Sequence, residues 1–414
     1  MDRREASWLG GATLVAAVLR LAGIAGQIPT LDDEFVLVTA RDYVLSGHPF
    51  PTMPFHPNLR NILVFASSEL AGAGVLGLKG WSLVLGILAV PLLGVLVYRL
   101  TRSRTASIVA ALLLALDGVH VDFSRQAIQE VHAGFFVLLG AYLVVEALLT
   151  DDGRRWRWLL PLAGVAFGAG AASKLYALPV LAASIALLVI VSARRRRWDD
   201  AGFAVASLTL VPFAVFFVTY LPWFGRGYSI GEWVTYQRAV VEAMLRHSKP
   251  TVGFLAYNEP WQWFLRPFMG EVDVVARAAT SPQVAVAVGN PLAWLAVLPA
   301  AAYSLILHRR RRADVVLQSF FWAGYLPLAL SPRPIWILSS VAIIPFAFGL
   351  VGMAAADLLP RLGRRVVWGY VAACVVGSLL LYPLAIGRSL DYAYLSPVVS
   401  LMGDYRAALQ APSR

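Results

Sequence analysis

The sequence predicts an all-α, polytopic integral membrane protein with about eleven transmembrane helices. Three observations carry this. Of 414 residues, 59% are apolar and only 14% charged, against roughly 25% charged in soluble domains. Apolar runs of the roughly 18 residues needed to cross a bilayer recur along the whole chain. Short arginine clusters fall between them on alternate loops, as cytoplasmic loops do.

The apolar segments cover residues 6–28, 80–98, 106–119, 131–149, 158–173, 175–192, 201–221, 291–307, 315–330, 335–356 and 366–386. The first follows Arg3 and Arg4 and is long enough to read as a signal anchor rather than a cleaved leader. Arg99, Arg102 and Arg104, then Arg154, Arg155 and Arg157, then Arg194 to Arg197, Arg309 to Arg312, and Arg361, Arg364 and Arg365 all fall on one side. That side is expected to be cytoplasmic. The net charge of +11 is spent there, which argues against a nucleic-acid partner and for membrane lipids around the chain. The single cysteine, Cys374, lies in an apolar segment, so no disulfide framework exists within the chain.

The other side receives the acids and histidines. The whole chain, 1–414, reads as one membrane domain with a first outer loop at 29–79 and a long outer loop at 222–290. Within the second, GEWVTYQRAVVEAMLRHS has an apolar face with Trp and Tyr and reads as an interfacial helix.

Four groups of residues carry chemistry. Asp32, Asp33 and Glu34 follow the first segment; they read equally as a helix cap or as paired carboxylates for acid–base work. Two adjacent carboxylates repel, which favours a proton on one of them. Asp117, His120, Asp122, Arg125, Glu130 and His132 sit between the third and fourth segments, where ionisable groups are expensive and face a partner or a cavity. Arg125 reads either as a tie to Asp122 or Glu130 or as part of a site. Lys174 interrupts apolar sequence and reads as a snorkelling lysine or as an anion contact near headgroup level. His56, His247 and the other outer histidines, with acids, leave a divalent metal open, although no HExxH-type spacing is present.

Several stretches resemble the protein O-mannosyltransferase family of GT-C membrane glycosyltransferases, especially bacterial members without an appended soluble domain. LDDEFVLVTARDYVLSGHPF resembles the family's Asp-Glu loop, and FHPN its His-Pro-Pro element. LTRSRTASIVAALLLALDGVHVDFSRQAIQEVHAGFF resembles its Leu-Asp-Gly, Ser-Arg and downstream acid pattern. AASKLYAL, PWQWFLRP, VGNPLAW and SPRPIWILSSVAIIPF follow in the family's order. The chain departs at Asn58 for the second Pro and at Glu130 for an Asp. Phe254, Leu255 and Ala256 stand where the family has His-Pro-Tyr.

The resemblance implies an inverting transfer of a sugar, mannose above all, from a polyprenyl-phosphate donor to an acceptor hydroxyl at the outer face of a bacterial plasma membrane. Asp33 would be the general base with Glu34 beside it. Arg125 and Lys174 would hold the donor phosphate. Glu130, His56 and His247 would support or contact the acceptor, with Glu130 orienting Arg125. No cofactor is implied with certainty. The acceptor reads as protein Ser/Thr, with a lipid, lipid A or a cell-wall glycan as alternatives. A transporter or lipid-binding protein is the non-enzymatic rival; it would need charges lining a path across the bilayer, whereas here, apart from the cytoplasmic Arg clusters, they lie on the outer side.

Overall fold

In lipid every backbone polar group must be satisfied within the chain, so apolar runs of this length fold as helices. The computed structural model describes residues 3–27, 31–47, 56–246, 259–266, 270–276, 283–307 and 311–387. In order, the helices are α1 (Arg3–Leu21), α2 (Leu31–Ser46), α3 (Leu59–Ala71), α4 (Val75–Thr101), α5 (Arg104–Leu116), α6 (Gly118–Ser124), α7 (Gln129–Leu149), α8 (Gly153–Ser173) and α9 (Leu178–Arg194). They continue with α10 (Trp198–Val218), α11 (Leu221–Gly225), α12 (Ile230–Arg246), α13 (Pro291–Leu295), α14 (Val297–Leu307), α15 (Arg312–Ala329), α16 (Ile344–Leu362) and α17 (Arg364–Ala385).

Each of the eleven apolar segments overlaps described helix. By length and composition, seven helical stretches are able to cross a membrane singly, and α5 with α6, bent by 57°, makes an eighth. Helices α8, α14 and α15 fall short of those criteria, so the expected count of eleven is not established. A further departure from an all-helical chain is a small antiparallel hairpin, β1 (Gly270–Ala276) with β2 (Gln283–Val288).

The core is built by α5 packed between α4 and α16, and by α7 packed between α4 and α8. Glycine permits close helix packing: a Cβ at Gly352 of α16 would lie 2.4 Å from the carbonyl oxygen of Ala106 in α5. Caps place the breaks. Ser103 accepts from the Ala106 amide at the start of α5, and Asp152 accepts from the Arg154 and Arg155 amides at the start of α8. Ser229 and Glu232 form a reciprocal capping box on α12. The bonds from Ser229 hold the exposed Glu232 carboxyl below its ordinary range.

Ion pairs mark two faces. On the Arg-rich face, Glu146 at the end of α7 joins Arg99 of α4 and Arg155 of α8. There too Arg311 reaches both Asp314 and Asp357. The opposite face holds the ends of α1, α5 and α8 and the starts of α4 and α7. The first outer loop is mostly helix there. The stripe Asp33, Val36, Ala40 and Tyr43 of α2 is buried, and Val36 and Ala40 cluster with Val64 of α3 and with Ala127. This three-and-four spacing is the sign of an amphipathic helix. Tyr43 donates from its hydroxyl to the Thr219 carbonyl, anchoring α2 to the far end of α10.

Candidate functional site

The corner between α6 and α7, residues 125–128, gathers side chains from four distant parts of the chain. Asp33, in the first turn of α2, accepts a hydrogen bond at Oδ1 from the Ala127 amide at 2.8 Å. Its Oδ2 lies 2.7 Å from Nζ of Lys79, near the start of α4, and both side chains are almost fully buried, at 1% and 4% exposed. The charge in contact with Asp33 is therefore a cation. Glu34 is the next residue along α2.

Arg125, fully buried, closes α6 and points back to α1. Its Nη1 donates to the carbonyls of Arg20 and Ala22 at 2.9 Å and of Leu19 at 3.4 Å, capping that helix end. Arg20 returns the contact, donating to the carbonyls of Ala115 at 3.1 Å and Leu114 at 3.4 Å at the end of α5, and to Nδ1 of His120 at 2.8 Å. Because a guanidinium only donates, His120 accepts at Nδ1. Each arginine thus caps the helix that carries or precedes the other. Nε and Nη2 of Arg125 are buried with no hydrogen-bond partner among the described residues. Unmet donors on a buried cation are rare in folded proteins and call for an explanation.

Glu130, in the first turn of α7, pairs with Lys174, which ends α8. Neither the Arg125–Glu130 tie nor the Arg125–Asp122 tie that the sequence left open is among the bonds described, and the partner of Glu130 is Lys174. Lys174 Nζ also lies 5.6 Å from the centre of the Tyr176 ring, within cation–π range. Asp117 is a structural member: Oδ1 caps α6 through the His120 amide at 2.9 Å, and Oδ2 accepts from Nε1 of Trp294 at 2.6 Å. A Cβ on the following Gly118 would lie 2.2 Å from the Val288 carbonyl oxygen, so only glycine lets β2 close over this corner.

Three cations of this corner, Arg20, Lys79 and Arg60, are absent from the sequence reading. Lys79 lies one residue before the apolar segment expected at 80–98. Arg60 of α3 is buried, bonded to Asn61 Oδ1 at 3.1 and 3.3 Å and 3.5 Å from the Ala127 carbonyl. Rarity was the available signal. The chain has three lysines, Lys79, Lys174 and Lys249, and the first two are paired with acids at this corner. His56 is half-buried just before α3. His247 lies outside the described residues. His132 donates from Nδ1 to the Ile128 carbonyl at 2.9 Å. Among the described residues no three His, Cys, Asp or Glu side chains come together in a way that would hold a metal ion.

Helix α3 separates two environments. Arg60 and Asn61 turn toward the corner. Leu59 and Ile62 turn outward to an apolar groove of about 580 Å³, whose other wall is Val211, Val215 and Val218 of α10. A cationic, acid-bearing corner thus lies one helix away from a hydrocarbon-like surface, the combination needed to hold a lipid-linked anion.

The fold resembles those of solved membrane-bound glycosyltransferases. It superposes on the S. cerevisiae protein O-mannosyltransferase Pmt1–Pmt2 complex bound to the sugar donor with a TM-score of 0.83 at 13% identity, covering 100% of this chain and 94% of that one. ArnT from Cupriavidus metallidurans bound to undecaprenyl phosphate matches with a TM-score of 0.59 at 14% identity, over 96% of this chain and 77% of the other. At the sequence level, the profile described as dolichyl-phosphate-mannose-protein mannosyltransferase matches residues 57–229. The polyprenol-phosphate-mannose–protein mannosyltransferase of Mycobacterium tuberculosis is 27% identical, with 94% of this chain and 90% of the relative aligned. Its namesake in Mycolicibacterium smegmatis is 26% identical over 91% and 88%. Over residues 57–229 the chain is thus similar to the dolichyl-phosphate-mannose-protein mannosyltransferase family.

Proposed function

We propose that the chain transfers mannose from a polyprenyl-phosphate donor to the hydroxyl of a protein serine or threonine, with Asp33 as general base. The carrying observation is the burial of Asp33 against the Ala127 amide, two residues beyond Arg125 and three before Glu130, the partner of Lys174. The names of the mycobacterial relatives support both the donor class and the protein acceptor.

In the reaction the acceptor oxygen attacks the anomeric carbon, and the bond from that carbon to the phosphate oxygen breaks. The acceptor proton passes to Asp33, and the polyprenyl phosphate leaves with the bonding pair. Attack opposite the leaving group inverts the configuration without a covalent sugar–enzyme intermediate. Lys79 and the Ala127 amide hold the carboxylate in place. The unmet donors of Arg125 and the ammonium of Lys174 stabilise charge developing on the phosphate. Glu130 is a positioning residue for Lys174. The apolar groove beside α3 takes the first isoprene units. Glu34 would support Asp33, and His56 and His247 would support the site or bind the acceptor. The Arg clusters on the opposite face support an extracytoplasmic position for this corner, in the plasma membrane.

The test is Asp33→Asn in native membranes supplied with radiolabelled polyprenyl-phosphate mannose. Label transferred to protein is expected to fall by roughly 10²–10⁴, the usual contribution of a general base, with donor still bound. Near-normal transfer removes Asp33 from the role. Label appearing in lipid or glycan in place of protein moves the acceptor to that class.

A further inference from the structure

We propose that the Arg-rich face carries a binding site for an anionic glycerophospholipid, separate from the catalytic corner. A cavity of about 750 Å³ lies where the α7–α8 turn meets the α9–α10 turn, at the opposite end of α7 from Glu130. Its lining changes character along the helices. Leu148, Leu188, Val191 and Phe203 form an apolar floor, while Arg154, Arg157 and Arg195 stand at the rim with Trp156 and Trp158. That is the order of groups along a lipid, from acyl chain to headgroup, and Trp prefers this depth.

The charges around the cavity are Arg154, Arg157, Arg195 and Arg197 against Asp151, Asp152 and Asp200. Two of the acids are already engaged. Asp152 caps α8 through the amides of Arg154 and Arg155 at 2.9 and 3.3 Å, and Asp200 lies 3.8 Å from Arg197. Arg155 is drawn away to Glu146. The side chains of Arg154, Arg157 and Arg195 make no hydrogen bond or ion pair described in the structure, and only Asp151 opposes them. Charge complementarity therefore selects a phosphate-bearing headgroup without a balancing cation. A zwitterionic lipid would bring its own ammonium against the arginines. A free phosphate would leave the apolar floor and both tryptophans without a partner.

Binding is measured on the full-length protein in detergent, by native mass spectrometry with added phosphatidylglycerol, phosphatidylcholine of the same chains, and inorganic phosphate. The wild type is expected to retain phosphatidylglycerol saturably and to prefer it over phosphatidylcholine. Each basic residue near an anionic lipid surface is worth roughly a fivefold gain. The R154Q/R157Q/R195Q variant should therefore bind phosphatidylglycerol roughly a hundredfold more weakly. Mannose transfer per folded molecule should be unchanged, because the variant leaves the α6–α7 corner intact. Equal binding of the two lipids, full displacement by inorganic phosphate, or unaltered binding by the variant would overturn the proposal. If the triple change impairs folding, R157Q alone, on an exposed side chain, reads the same quantity and should weaken binding about fivefold.

Discussion

The ion pairs at the α6–α7 corner and those on the Arg-rich face use the same residue types under opposite conditions. At the corner, Asp33 and Lys79 are nearly inaccessible, and Glu130 is buried with Lys174 only slightly exposed. On the other face the acids are buried or half-buried but the arginines reach solvent, with Arg155 54% and Arg311 41% exposed. Taking both partners of a pair out of water costs several kcal/mol per ion, and their attraction seldom leaves a net gain. Exposed arginines cost little and contribute little. The expensive arrangement is the one that also contains unmet donors on Arg125. Under the proposed function, charge at the corner serves chemistry, whereas charge on the rim ties helix ends.

The comparison can be broken at either end. Asp33→Asn leaves Lys79 as a buried charge without its counterion, so stability should fall by about 3–5 kcal/mol in addition to the loss of turnover. Adding Lys79→Met should restore the midpoint of thermal unfolding and leave transfer abolished. Recovery of transfer in the double variant would make the pair structural only. Lys174→Ala should lower kcat/KM for the donor by roughly 10²–10³, the usual effect of removing one charge-stabilising donor. The check is a donor titration, and an unchanged kcat/KM would take Lys174 out of the phosphate cradle. On the other face, Glu146→Gln should lower stability by about 2 kcal/mol, in the range for a hydrogen bond to a charged group, while specific activity per folded molecule stays the same. The smallest effect is expected at Arg196, held at φ 56° beyond the end of α9. A left-handed backbone costs a residue with a side chain about 1 kcal/mol, so Arg196→Gly should raise the unfolding midpoint by a few degrees at most.

Much of this was legible in the sequence where the signal was local. The eleven apolar segments all overlap helices, because hydrocarbon leaves the backbone no other solution. The alternation of Arg99, Arg155 and Arg311 against Asp33 and Lys174 named the two faces. Asp33, Arg125, Glu130 and Lys174 were singled out because ionisable residues at that depth are few. What the sequence did not disclose is who touches whom. Glu130 is 5 residues from Arg125 in the chain and 44 from Lys174, and the more distant partner is the one it meets. The α2 helix was read as a loop because three consecutive acids masked the stripe Asp33, Val36, Ala40 and Tyr43. Lys79 escaped because its importance comes from a contact across 46 residues, visible only once α2 is folded onto α4.

The central claim is spatial, and the measurement that reaches it most directly is a structure of the protein with polyprenyl-phosphate mannose bound. The phosphate is expected within hydrogen-bonding distance of Arg125 Nη2 and Lys174 Nζ, with the anomeric carbon between the phosphate and the Asp33 carboxylate and the lipid leaving beside α3. A phosphate seated away from both cations, or Asp33 on the same side of the sugar as the leaving group, would contradict it.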